Sequence, residues 1–283
     1  MAALLTFLLV LLAGVQEPPP RSGGEIRVVT WNLENFFDRY DDPWREDERT
    51  RPPFVRESRQ QRLAGVLRRL DADVVCLQEI ENRFVLEDWV QRHLSALGYE
   101  VVHSEGNDGR GIDVALLSRL PVGAVTSHRH LRFPDGSGGE TGFQRDLLQV
   151  RLGPPLDAEV FVVHFKSQRG GEAADRLRLE EARAAVRVLA GASPRALLAG
   201  DFNDLPESPV LQTLLEPGWK DPCAGLETPT YNQEPYRSRI DYVLLSPALA
   251  RSGVRGAWIL EDEEVLRASD HNPVVVDLAR PRD

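Results

Sequence analysis

An aspartate and an asparagine stand two apart in Gly200-Asp201-Phe202-Asn203-Asp204-Leu205-Pro206, directly after the apolar run Ala196-Leu197-Leu198-Ala199. That run reads as a buried strand, and Gly200 ends it. Asx residues favour such turns because their side chains bond nearby backbone amides. A carboxylate and an amide at a strand's C-terminal end can also hold a water or a hard cation against a phosphate oxygen. Asn32, Glu79, His164, Asp241, Asp270 and His271 stand at the ends of other apolar runs in the same way, and such ends are where α/β sheets bind ligands. Glu79 and Asn32 offer oxygen donors, which suit Mg²⁺, Mn²⁺ or Ca²⁺ better than a soft metal. Asp241 lies against an apolar strand, where an unpaired carboxylate is costly. Hydrolysis of an anionic phosphodiester asks for such a set: neutralising charge, an aimed water and a proton for the leaving oxygen. Each residue taken alone also fits a plain structural role, as a turn former, a capping acid or a strand-end histidine.

The elements that must position these groups follow from the periodicity. Glu25–Trp31 alternates like a first strand and runs into Asn32-Leu33-Glu34-Asn35. Leu63, Val66, Leu67 and Leu70 are at helical spacing, which predicts a helix over Glu57–Leu70. Asp73–Leu77 reads as a buried strand ending in Gln78-Glu79, Val85–Leu97 as an amphipathic helix, and Tyr99–His103 and Ile112–Leu117 as strands around a Gly-rich turn. Pro134–Gly142 reads as a flexible loop, Phe143–Leu152 and Ala158–Phe165 as a strand pair, and Glu172–Leu189 as a long helix rich in Arg, Glu and Ala. Ser208–Leu215 is a short helix, and Arg239–Leu245 and Val274–Leu278 are late strands. Many strands follow one another with too little chain between them for βαβ crossovers, so two packed sheets with outer helices are expected.

The bulk numbers bound the rest. A chain of 283 residues with 42% hydrophobic and 28% charged residues has room for one large α/β domain or two small ones, with a sizeable core. A formal net charge of −10 argues against wrapping nucleic acid by global charge, though not against a local basic groove. Two cysteines, Cys76 and Cys223, exclude a disulfide framework and a thiolate metal site. Only Lys166 and Lys220 of the 34 basic residues are lysine, which marks Lys166 as a position where a point charge is wanted. Residues 1–17 read as a signal peptide, its apolar core Leu4–Ala13 being too short to span a bilayer. Its start carries no Lys or Arg. Residues 18–24, with Pro18-Pro19-Pro20 and Gly23-Gly24, read as a linker. A catalytic domain over 25–280, a secreted or periplasmic location, a monomer, and no stable membrane insertion after processing are the expectations.

Seven stretches in order resemble the endonuclease/exonuclease/phosphatase superfamily: Thr30-Trp31-Asn32-Leu33-Glu34-Asn35, Leu77-Gln78-Glu79, Gly111-Ile112-Asp113-Val114-Ala115, Val163-His164-Phe165-Lys166-Ser167, Gly200-Asp201-Phe202-Asn203, Arg239-Ile240-Asp241-Tyr242 and Ser269-Asp270-His271-Asn272-Pro273. They cover Ile26 to Leu278. The resemblance implies a four-layer α/β/β/α sandwich of two mostly antiparallel sheets, with the site at one end of both. By the same resemblance Glu79 is the main metal carboxylate, with Asn32, Glu34 and Asp270 around the ion. Asp201 and Asn203 position the nucleophilic water and a phosphate oxygen. Asp241 orients His271, which is a general base or a phosphate-binding cation. His164 matches the histidine with which pancreatic-type deoxyribonucleases protonate the leaving group; repair-type abasic endonucleases have a tyrosine-centred motif there, so the chain leans to the secreted nuclease branch. Arg145 resembles a phosphate-contacting arginine, and Lys166 and Ser167 belong with it. His93, His103, His128 and His130 match no motif.

The function this implies is hydrolysis of nucleic acid, DNA before RNA, with Mg²⁺ (or Mn²⁺/Ca²⁺). The alternative is a phosphodiesterase or phosphatase acting on a phospholipid headgroup or a small phosphate ester, which the acidic balance favours and the absence of an apolar insertion hairpin disfavours. A non-catalytic binding member would have lost the metal and histidine positions, and all of them are present.

Overall fold

Apolar residues run unbroken through the central strands because both faces of each strand are covered. The computed structural model describes residues 21, 23–42 and 51–280. The chain runs β1 (Glu25–Phe36), α1 (Glu57–Leu70), β2 (Val74–Ile80), α2 (Arg83–Trp89), β3 (Glu100–Ser104), β4 (Asp113–Ser118), β5 (Val122–Ser127), a small ribbon of β6 (Phe133–Pro134) and β7 (Glu140–Thr141), β8 (Leu147–Leu152), β9 (Ala158–His164), α3 (Gly171–Leu189), β10 (Ala196–Asp201), α4 (Pro209–Leu215), β11 (Asp241–Leu245), α5 (Pro247–Arg251), β12 (Val254–Ile259), α6 (Glu263–Ala268) and β13 (Val274–Ala279). The expected signal segment 1–17 lies outside the described residues, as do most of the linker and residues 43–50. Among the described residues no helix is long and apolar enough to cross a membrane.

One sheet has the order β12-β13-β1-β2-β4-β3 and the other β11-β10-β9-β8-β5. Each contains a single parallel pair, β1 with β2 and β9 with β10; every other neighbour is antiparallel. A parallel pair needs a crossover, and α1 and α3 supply the two. Side-chain alternation then sorts each strand into layers. Val28, Val74, Cys76, Leu116, Val150, Val162, Leu197 and Ala199 meet between the sheets. Val29, Trp31, Val75 and Leu77 face α1, α2 and α6 through Leu63, Leu67, Trp89 and Val265. Phe161, Val163 and Leu198 face α3 and α4 through Ala182, Ala185, Leu211 and Leu214. The result is the α/β/β/α sandwich expected from the sequence.

Helix α1 starts with Glu57 and ends with Arg68 and Arg69, charges that complement the helix dipole. Its buried Leu67 makes the point of contact with the sheet, and Leu67→Ala would cost about 2–5 kcal/mol. The expected helix over Val85–Leu97 is three pieces: α2, a π-helical turn over Val90–Leu94, and a 3₁₀ turn over Ser95–Leu97. The expected strand Phe143–Leu152 starts only at Leu147, because the backbone of Gln144 donates to the Glu181 carboxylate instead of to a strand. The expected loop Pro134–Gly142 holds the β6–β7 ribbon.

Candidate active site

The two parallel pairs bring their C-terminal ends to the same end of the sandwich. Asn32 of β1 lies in register with Gln78 of β2. Asp201 of β10 lies between His164 of β9 and Asp241 of β11. Gly200 allows this close packing. It has φ +150°, and a Cβ there would sit 1.9 Å from the Val163 carbonyl oxygen, so only glycine fits. Four of the six non-glycine residues with positive φ are Glu34, Asn35, Glu79 and Asn203. The backbone strain of the described chain is therefore concentrated where the strands end.

Asp201 is the hub. Its Oδ2 accepts the Asn32 amide N–H at 3.1 Å and lies 3.5 Å from His164 Nε2 and 3.9 Å from His271 Nε2. Its Oδ1 accepts the Asn203 backbone N–H at 2.8 Å. Burial, reinforced by the charge of Asp241, pushes the Asp201 carboxyl up to about 7. His271 Nδ1 is 2.9 Å from Asp241 Oδ2. Burial opposes its protonation, but the charge and hydrogen bond of Asp241 outweigh burial and hold the imidazole up at about 10. His271 is thus a buried imidazolium. Thr230 Oγ1 accepts the backbone N–H groups of Ile240 and Asp241 at 2.8 and 2.9 Å, which fixes the carboxylate's strand.

His164 is the opposite case. Burial, with Arg145, His271, Arg110 and Lys166 adding to it, pulls its pKa well below the ordinary value. The ring is neutral, and its buried Nδ1 has no hydrogen-bond partner among the described residues. Arg145 Nη1 donates to the Phe165 carbonyl at 3.2 Å, and Asn203 Nδ2 donates to the same oxygen at 3.1 Å. Arg145 Nε is paired with Asp108 at 3.0 Å. Burial and then Arg145 lower the Lys166 ammonium from its usual range. Ser167 Oγ meets Lys166 Nζ at 3.5 Å; among the described residues it shares no hydrogen bond with either histidine.

A group of acids flanks Asn32. Asn32 Oδ1 accepts the Glu34 N–H at 2.9 Å, Glu79 Oε2 accepts the Asn35 N–H at 2.7 Å, and Glu34 Oε2 accepts the Asp270 N–H at 3.3 Å. Ser269 Oγ, donating to the Asn32 carbonyl at 2.7 Å, ties the Asp270-His271 turn to β1. Burial pushes the Asp270 carboxyl up to about 6; His271 opposes this while Glu34 and Glu79 add to it. Asp270 Oδ1 is buried with no hydrogen-bond partner among the described residues. Three carboxylates, one of them with an orphaned oxygen, and one amide oxygen fit a hard divalent cation. Ligand-type atoms of Asp201, Asp241 and His271 also lie within 4.8 Å of one another. A protonated imidazole bonded to a carboxylate is a poor ligand, so that trio reads better as an ion-paired relay.

Asn32, His164, Asp201, Asn203, Asp241 and His271 are thus joined by direct contacts. Glu34, Glu79 and Asp270 form the adjoining acidic group, and Arg145 and Lys166 the basic side. Several supporting residues escaped the sequence reading. Arg59 pairs with Glu34 at 3.3 Å. Buried Glu181 accepts the N–H groups of Gln144 at 2.9 Å and Lys166 at 2.7 Å. Buried Arg178 holds Asp204 at 2.8 Å and the Lys166 carbonyl at 3.1 Å. Both charged residues sit on the inner face of α3, and that misplacement in the helical pattern was the available signal.

A sandwich of this form, with its histidines and carboxylates gathered at one end of both sheets, fits the phosphoester hydrolases of one family. The chain belongs to the endonuclease/exonuclease/phosphatase family, whose model matches residues 29–271. Solved structures share the fold. An endonuclease/exonuclease/phosphatase from Beutenbergia cavernae DSM 12333 is 22% identical, with a TM-score of 0.63, over 90% of this chain and 72% of its own. An AP endonuclease from Archaeoglobus fulgidus is 19% identical, with a TM-score of 0.64, over 89% of this chain and 99% of its own. The 3′ phosphatase NExo from Neisseria, bound to a product DNA hairpin, is 18% identical, with a TM-score of 0.62, over 89% of this chain and 99% of its own. Comparison with curated protein sequences finds no match.

Proposed function

We propose that the chain is an exported, divalent-metal-dependent phosphodiesterase that hydrolyses nucleic acid, DNA in preference to RNA, by in-line attack of water. The observation that carries this reading is the meeting of Asn32, His164 and His271 around Asp201 Oδ2, at 3.1, 3.5 and 3.9 Å. A carboxyl held near 7 is matched to taking a proton from water at neutral pH. His271, already protonated, serves as the cation that binds a phosphate oxygen rather than as the base. Asn203 holds the water and a second phosphate oxygen, and Arg145, Lys166 and Ser167 receive the phosphate's remaining negative charge. Burial first, with the arginine and lysine charges adding to it, keeps the free His164 neutral, and an incoming phosphate anion offsets those charges. His164 takes up a solvent proton as that complex forms and passes it to the leaving oxygen, and Asp201 returns the proton it took from water to solvent when product leaves. Glu79, Glu34, Asp270 and Asn32 would hold Mg²⁺ (or Mn²⁺/Ca²⁺), which supplies charge neutralisation beside the scissile bond. The apolar stretch Leu4–Ala13 supports export.

Plasmid nicking with and without EDTA, repeated with His271→Ala and Glu79→Ala, tests the reading. Unchanged cleavage in both variants would refute it. The net charge of −10 favours a second reading, a phospholipid headgroup or small phosphate ester as substrate. Faster release of phosphocholine from sphingomyelin vesicles than nicking of DNA would select it.

A further inference from the structure

We propose that His103, Glu105 and Asp113 form a separate cation site, built for Zn²⁺, that pins the loop between β3 and β4. His103 on β3 pairs with Ala115 of β4, two residues beyond Asp113, so the two side chains share a face of the sheet. His103 Nε2 stands 3.3 Å from Asp113 Oδ2, and the side chains are 3% and 1% exposed. They are within ion-pair reach of each other, yet neither atom makes a hydrogen bond among the described residues. A cation seated against both atoms would satisfy them more fully than this pairing does. Glu105, exposed two residues past His103, brings a third ligand-type atom, and all three lie within 4.8 Å of one another.

The spacing fits a particular metal. Donors about 2.0–2.1 Å from a tetrahedral zinc stand roughly 3.3 Å apart. One imidazole nitrogen with carboxylate oxygens suits zinc better than magnesium or calcium, which prefer all-oxygen shells. The other Asp113 oxygen accepts the Gly106 N–H at 2.7 Å. A Cβ at Gly106 would lie 2.8 Å from that oxygen and 3.0 Å from the Arg145 backbone, so the loop is already seated tightly. The same loop carries Asp108, the partner of Arg145. The role is therefore positional: a zinc here stiffens the loop that braces the phosphate-side arginine.

The test uses full-length protein stripped with EDTA and returned to saturating Mg²⁺, in a Glu79→Gln/Asp270→Asn background so that the acidic group beside Asn32 is not counted. Zinc is then titrated, reading bound metal per chain and Tm. One zinc per chain is expected, with Tm raised by roughly 5 °C at a hundredfold excess over Kd. His103→Gln should abolish that binding, and Glu105→Gln should weaken it at least about tenfold. Glu105 is exposed, so its variant carries the test even if His103→Gln fails to fold. No bound zinc, or zinc bound equally well by both variants, would overturn the proposal and leave a plain histidine–aspartate pair.

Discussion

Asp241 Oδ2 holds His271 Nδ1 at 2.9 Å, and the ring's other nitrogen faces Asp201 across 3.9 Å. One carboxylate thus fixes the imidazole's orientation and charge while a second waits on its far side. Such a carboxylate–imidazole pair separates its partners' ionisation by burial and charge rather than by residue type.

Removing the hydrogen bond should expose that dependence. Asp241→Asn leaves the buried His271 without its bonded counter-charge, with only Asp201 and Asp270 still favouring the cation, so its pKa falls. The expected kcat for plasmid cleavage falls about 10²–10⁴-fold, with KM changed far less. An unaltered kcat would remove His271 from the reaction.

The pH profile follows from the same two groups. In the proposed reaction Asp201 must be ionised, which occurs as pH rises through about 7, and His271 protonated, which ends as pH rises through about 10. A bell with limbs near those values is expected, each limb belonging to the coupled set rather than to one residue. His271→Gln should lower the rate and erase the alkaline limb.

Stability has a defined sign as well. The folded-state pKa of His271 lies above its unfolded value of 6.5, so its contribution is full below about 6.5 and is lost as pH rises to about 10. Burial raises Glu181 from 4.5 to about 7, so folding binds protons there too and loses stability as pH rises across that window. Tm should therefore decline from about pH 5 to pH 10, and a Tm that rises with pH over that range would contradict both assignments.

Glu181→Ala strands the N–H groups of Gln144 and Lys166. Losing the acceptor of two part-buried donors should cost about 1–3 kcal/mol, read in urea unfolding. The loosened Lys166 turn should also raise KM.

Gly200→Ala places a methyl group against the Val163 carbonyl, at a backbone angle that alanine resists. A loss of about 4 kcal/mol or more, or failure to fold, is expected. Normal Tm in this variant would contradict the packing of β9 on β10.

Much of this was legible in advance because it depends on local pattern. The α1 span Glu57–Leu70 is the one its leucine spacing predicts, and the central strands show as apolar runs since both faces are buried. What stayed hidden has a common cause. β5 and β12 are edge strands of their sheets; β5 is largely exposed, and β12 is only part-buried, with Arg255 and Gly256 breaking its apolar run. α5 and α6, at five and six residues, are too short to display a period. Arg178 and Glu181 fall by spacing on the buried, alanine-lined face of α3, which flags them, but only the packed chain shows them stitching the His164–Lys166 turn. The opposite protonation of His164 and His271 is likewise a property of neighbours, not of residue type.

The last strand, β13, does not lie at a rim. It pairs with β1 along Glu25↔Ala279 to Thr30↔Val274, in the interior of the first sheet, and His271 directly precedes it. A chain interrupted before His271 therefore lacks both the partner that joins β1 to β12 and the imidazole that Asp241 orients, so its first sheet is split in two and its strand-end cluster is incomplete.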